Sequence, residues 1–193
     1  MARSPLALGA TFAIAGSLVL SLGACSAFDP LNDEENPGPC PNAFALNDAA
    51  RVVSFEQPGV ETYDNVTYTA EIQAVRTFCR YVGERPIESD LELEIGFGRG
   101  PAGVERRHTY NLWVAVTRTD VAVLEREIFP LEVTFPRDEE AVYRLEEINN
   151  IVIPRAEEST SGSNFEILVG FEVTPDELQF NRDGKRFTLD AVQ

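Results

Sequence analysis

One histidine and one lysine are present in the 193 residues. His108 follows Arg106 and Arg107 and precedes Thr109. It could serve a Ser-His-Asp or Cys-His mechanism only if the fold brought a nucleophile to it. No Gly-x-Ser-x-Gly elbow occurs in the chain. A lone histidine at a strand entrance beside two arginines is expected at the surface. Lys185 is the single candidate for a Ser-Lys dyad, and its place in a terminal turn does not suit that role. Zinc sites of the usual kind need several His or Cys ligands, which this chain lacks. No catalytic residue, metal or cofactor is therefore expected.

Three further patterns could carry recognition or chemistry. Gly96-Phe97-Gly98-Arg99-Gly100 has the glycine density of a phosphate loop. A helix would have to start directly after it, so that backbone amides face the anion, and Pro101-Ala102-Gly103 follows instead. The stretch reads as a flexible hairpin connection. Glu88, Asp90, Glu92 and Glu94 share one parity, opposite Leu91, Leu93, Ile95 and Phe97. On a strand, same-face residues lie about 6.6 Å apart, so the four carboxylates form a row. The row is a candidate cation site or docking surface for a basic partner, and otherwise a solvated face whose charges discourage edge pairing. Trp113 has the parity of Thr109, Asn111, Ala115 and Thr117, opposite apolar Tyr110, Leu112, Val114 and Val116. It could stack on a sugar or anchor a protein, or be covered by its own chain, with 174–181 the expected cover.

The N-terminus reads as an export signal. Arg3 begins it, Leu6 to Leu20 is apolar or small without a charge, and Leu22-Gly23-Ala24-Cys25 closes it. An uncleaved anchor helix is the alternative, and Ala2 to Ala24 is barely long enough to span a bilayer, which takes roughly 20 apolar residues. The Leu22-Gly23-Ala24-Cys25 tetrad resembles the lipobox of bacterial lipoproteins. That resemblance implies cleavage after residue 24 and lipid attachment at Cys25, making an acylated first residue of the mature chain. Stable anchoring takes two or more acyl chains. Ser26 rather than Asp after the cysteine implies, by the same resemblance, release to the outer membrane rather than retention at the inner one.

Lys+Arg number 16 against Asp+Glu 32, a net charge of -16. Nucleic acid is excluded as a partner, because neutralising phosphates needs clustered Lys and Arg. Ser26 to Pro41 holds four prolines and four carboxylates in sixteen positions. Such a segment forms neither a helix nor a buried face, so residues 25–41 are expected to be an extended acidic tether. With Cys25 assigned to lipid, Cys40 and Cys79 remain, and in an oxidising compartment they are expected to form a disulfide. Two free thiols or a metal site is the weaker alternative.

Residues 42–193 suit one domain. Strict alternation over 91–97 and 165–173, and β-rich runs at 49–55, 66–82, 108–118, 121–135 and 142–153, predict about seven strands. Without intervening helices they read as an all-β, antiparallel β-sandwich, immunoglobulin-like or similar. Thr174-Pro175-Asp176-Glu177 predicts one short helix over 174–181, plugging an end of the sandwich. A last strand is expected near Phe187 and Leu189.

The mature domain resembles uncharacterised bacterial lipoproteins, through runs such as Ser161-Gly162-Ser163-Asn164-Phe165-Glu166 and Phe171-Glu172-Val173-Thr174-Pro175. That resemblance implies no activity. The expectation is a lipid-anchored, non-catalytic envelope protein facing the periplasm, an accessory or assembly factor for an envelope protein partner. The alternative is a module binding a small ligand, carbohydrate or cation, at Trp113 or the acidic row.

Overall fold

The computed structural model describes residues 38–81, 85–119, 121–157 and 159–187, all within one compact unit, Asn36–Gln193. The expected signal segment 1–24, the expected lipid site Cys25, the expected tether as far as residue 37 and Leu189 of the expected last strand lie outside the described residues. The described residues form eight strands: β1 (Asn42–Ala45), β2 (Arg51–Phe55), β3 (Val66–Arg80), β4 (Ile87–Arg99), β5 (Arg107–Arg118), β6 (Ala122–Thr134), β7 (Ala141–Ile153) and β8 (Phe165–Phe171). An α-helix, α1 (Pro175–Arg182), follows β8. The strands form two four-stranded sheets, ordered β1-β8-β5-β6 and β2-β3-β4-β7. All pairings are antiparallel except β1 with β8.

Alternation is what lets these sequences close into a sandwich. Leu91, Leu93, Ile95 and Phe97 of β4 face Leu112, Val114 and Val116 of β5 and Phe165, Ile167, Val169 and Phe171 of β8 across one buried core. Each such side chain contributes about 1.5–3 kcal/mol by leaving water. β3 breaks strict period two, because its pairing with β4 slips between Ile72 and Ala74 and leaves Gln73 as an extra residue. Tyr68, Ala70 and Ile72 reach the core before that bulge, and Val75 and Cys79 after it. β7 carries a second bulge: Ser89 pairs with Ile151 and Leu91 with Ile148. Asn150 absorbs the extra residue at φ 63°, a left-handed conformation that asparagine tolerates, and its N–H donates to the Asp90 carboxylate at 3.0 Å.

The expected sandwich is present, with several differences. An eighth strand, β1, lies parallel to β8, too short to announce itself by pattern. The run at 49–55 begins its strand at Arg51, because a 3₁₀ turn occupies Asn47–Ala49. Gly96 to Arg99 belongs to β4, and the chain from Gly100 onward crosses to the other sheet rather than closing a hairpin. That crossing hugs the start of β3: Gly100 N–H donates to Thr67 O at 2.8 Å, and a Cβ at Gly100 would sit 2.3 Å from Val66 O. Phe187 is not in a strand and packs on Phe55 and Phe180. The order also departs from the immunoglobulin pattern, in which the last two strands are neighbours, since β7 and β8 lie in different sheets.

α1 has the capping box its sequence predicts. Thr174 Oγ1 accepts from Glu177 N–H, and Glu177 Oε2 accepts from Thr174 N–H at 2.8 Å. The helix covers β2 instead of plugging an end. Asn181 Nδ2 donates to Arg51 O at 2.9 Å, Ser54 Oγ donates to Glu177 Oε1 at 2.7 Å, and Phe180 buries itself with Val53 and Val66.

Candidate functional site

His108 is not a free surface residue. It lies half-buried on the core-facing side of β5, stacked 3.9 Å from the Tyr68 ring and edge-on to Tyr110 at 4.6 Å. Burial lowers its pKa below the ordinary 6.5, and the charge of Glu177 opposes part of that shift. Burial likewise pushes the Tyr110 phenol above its ordinary range, and its hydroxyl donates to Thr69 O at 3.0 Å. This cluster seals one end of the core.

The acidic row has the predicted parity on a strand paired on both sides, so its role as edge protection is corrected. Arg76 bonds Glu94 at 2.5 Å and lies 3.9 Å from Glu92. Arg80 pairs with Glu88, and that hydrogen bond holds the Glu88 carboxyl below its usual range while raising the Arg80 pKa. Asp90 is occupied by the Asn150 amide. β3 thus brings two arginines, Arg76 and Arg80, to the row. Among the described residues, no three His, Cys, Asp or Glu side chains gather where a metal ion could be held.

Trp113 is covered by its own chain, through a neighbour other than the expected 174–181 segment. It pairs in register with Gly170 of β8, and a Cβ there would lie 2.6 Å from the indole and 2.9 Å from Ala49 Cβ. The 3₁₀ turn at Asn47–Ala49 therefore closes over this position, and α1 rests on that turn through Asn181 and Arg182, which bond Asp48. The indole N–H donates to Phe171 O at 3.0 Å, and the Arg126 guanidinium lies 5.3 Å from the ring centroid. The ring's donor and a cation position are already taken.

Cys40 and Cys79 bring their sulfurs to disulfide-bonding distance, with Cα atoms 5.5 Å apart and a separation of 39 residues. The link joins the segment entering β1 to β3, and so ties the two sheets together on the β1/β2 flank. Beside it, Tyr81 Oη donates to Pro39 O at 2.8 Å and accepts from Gly162 N–H at 2.6 Å.

The feature that stands out is β6, whose sequence pattern marks it only as a further strand. Among the described residues it pairs with β5 alone. Phe135 N–H donates to Arg106 O at 2.7 Å, which sets the hydrogen-bonding phase of the pair. In the observed register, the backbone groups of Glu125, Glu127, Phe129, Leu131 and Val133 point to β5, and those of Arg126, Ile128, Pro130 and Glu132 point away. The two halves of this edge differ. In the upper half Pro130 has no N–H, and Glu132 O accepts from Arg144 of β7 at 2.9 Å. In the lower half, no described residue meets the outward N–H and C=O groups of Arg126 and Ile128. Val121, Val123, Leu124 and Ile128 are 71%, 63%, 44% and 43% exposed around them. Pro130 inside an apolar run was the available signal for an edge strand.

No protein-family model matches the chain, and no curated protein and no solved structure matches it.

Proposed function

We propose that this protein is a lipid-anchored, non-catalytic accessory or assembly factor of the cell envelope, holding a protein partner at the open half of β6. The observation that carries the reading is a strand edge with unsatisfied backbone groups beside four exposed apolar side chains. Backbone pairing supplies affinity in strand-addition interfaces, and neighbouring side chains supply selectivity. By the lipobox resemblance, Cys25 carries the lipid, the tether of 25–41 holds the domain off the membrane, and the domain faces the periplasm, from the outer membrane rather than the inner. The net charge of -16 directs the choice of partner away from nucleic acid.

The test is site-specific photocrosslinking in intact cells from Leu124, with exposed Glu61 as the control position. One envelope protein captured from Leu124, and neither from Glu61 nor from a Cys25→Ala chain, is the expected result. No position-specific product from Leu124 would sink the reading. The alternative, a small ligand at Trp113, predicts a change in the single tryptophan's emission on titration with glycans or calcium.

A further inference from the structure

Resting on the docking reading above, we infer that the open half of β6 takes up an extended partner segment in which basic and apolar residues alternate, added as a further strand beside Ala122–Ile128. The backbone geometry sets the length. Arg126 and Ile128 each offer one outward N–H and one outward C=O, a ladder of up to four hydrogen bonds. Toward the C-terminus the ladder stops at Pro130, which has no donor, and at Glu132 O, which Arg144 already occupies. The site accepts a short segment and rejects a full-length strand.

The side chains set the chemistry. Glu125 and Glu127 stand on the face that continues Phe129, Leu131 and Val133, yet both are exposed, with no ion pair to a described residue. Two carboxylates on one parity, about 6.6 Å apart, are complementary to Lys or Arg on alternate positions of an added strand. On the opposite face the same stretch carries Val123, Arg126 and Ile128. Arg126 is directed elsewhere, pairing with Glu172 at 3.4 Å and lying over Trp113, so the apolar Val123 and Ile128 define what the other parity should be. Leu124, the extra residue where β5–β6 pairing slips, adds to that apolar margin. A partner strand written basic, apolar, basic, apolar meets both faces.

The probe is a synthetic N-acetylated, C-amidated (Lys-Val)4 peptide titrated into the full chain in detergent, read by Trp113 emission and by hydrogen exchange of the Arg126 and Ile128 amides. Saturable binding with slowed exchange at both amides is expected, and a (Glu-Val)4 peptide should not bind. Glu125→Lys with Glu127→Lys should weaken binding by about tenfold or more, while leaving thermal unfolding as in the parent, because both side chains are exposed. Ile128→Pro should do the same by removing one outward N–H, since that N–H does not bond β5. An Ile128→Pro chain that binds the peptide as the parent does, or unprotected amides in the complex, would overturn strand addition and leave only charge attraction. A Leu124 crosslink in cells without peptide binding would overturn this inference while the docking reading stands. Peptide binding without any crosslinked protein would support the edge chemistry and sink the docking reading.

Discussion

The two flanks of the sandwich are built on opposite plans. On the β1/β2 flank everything is stitched. The Cys40–Cys79 link joins the sheets, β1 is only four residues long, and α1 lays Phe180 and Asn181 over β2. On the β6/β7 flank, the one side-chain hydrogen bond between the two strands among the described residues is Arg144 to Glu132 O. β7 protects itself there with inward-pointing charges, Arg144 and Glu146 at 3.6 Å, and with the Asn150 bulge. β6 protects its upper half through Pro130 and Arg144 and leaves its lower half open. Strand edges that would invite aggregation carry such protection elsewhere on this flank, which makes the unprotected lower half of β6 a place to look for a partner.

The contrast can be broken by substitution, and the effects should descend in a fixed order. Replacing both Cys40 and Cys79 by alanine should cost the most, about 4 kcal/mol on the chain-entropy model for a loop of this length, read by denaturant unfolding. Next comes a pair of neighbours on the open flank. Glu127→Pro removes a backbone bond to β5 and should cost about 3 kcal/mol, whereas Ile128→Pro, one residue on, should stay within about 0.5 kcal/mol. Equal losses at the two positions would show that the assigned hydrogen-bonding phase of β6 is wrong. Thr174→Ala should loosen the stitched flank by about 1 kcal/mol, because it removes the cap of α1. Arg144→Ala should cost about 1 kcal/mol and also lengthen the open edge, so self-association in sedimentation should rise.

The smallest effect concerns the sealed end of the core. His108 has its pKa lowered on folding, so the unfolded chain binds more protons near and below pH 6.5. Stability should be fully present above that pH and decline as the pH falls through the lowered value. His108→Phe should flatten that part of the melting-temperature profile, and an unchanged slope would remove His108 as its cause.

How much of this was legible beforehand depends on whether the determinant is local. Leu91 to Phe97 and Phe165 to Phe171 declared their buried faces through alternation, and Thr174 with Glu177 declared a helix start, since each needs only near neighbours. The parity of the acidic row was legible, but which arginines answer it was not, because Arg76 and Arg80 come from β3 by pairing. Trp113 was read on the right face, while its cover required Gly170 and Ala49 to arrive from distant parts of the chain. β3 resisted a period-two reading because the extra residue at Gln73 reverses which residues face inward.

The amino-acid sequence by itself determined a two-faced, strand-rich, acidic chain with a cysteine pair free to bond, since composition and period-two alternation express themselves over a few residues. Only the tertiary structure decided which strands became edges and which backbone groups were left without a partner. Those properties belong to the pairing of strands far apart in the chain. No single stretch, β6 included, carries the information about who lies beside it.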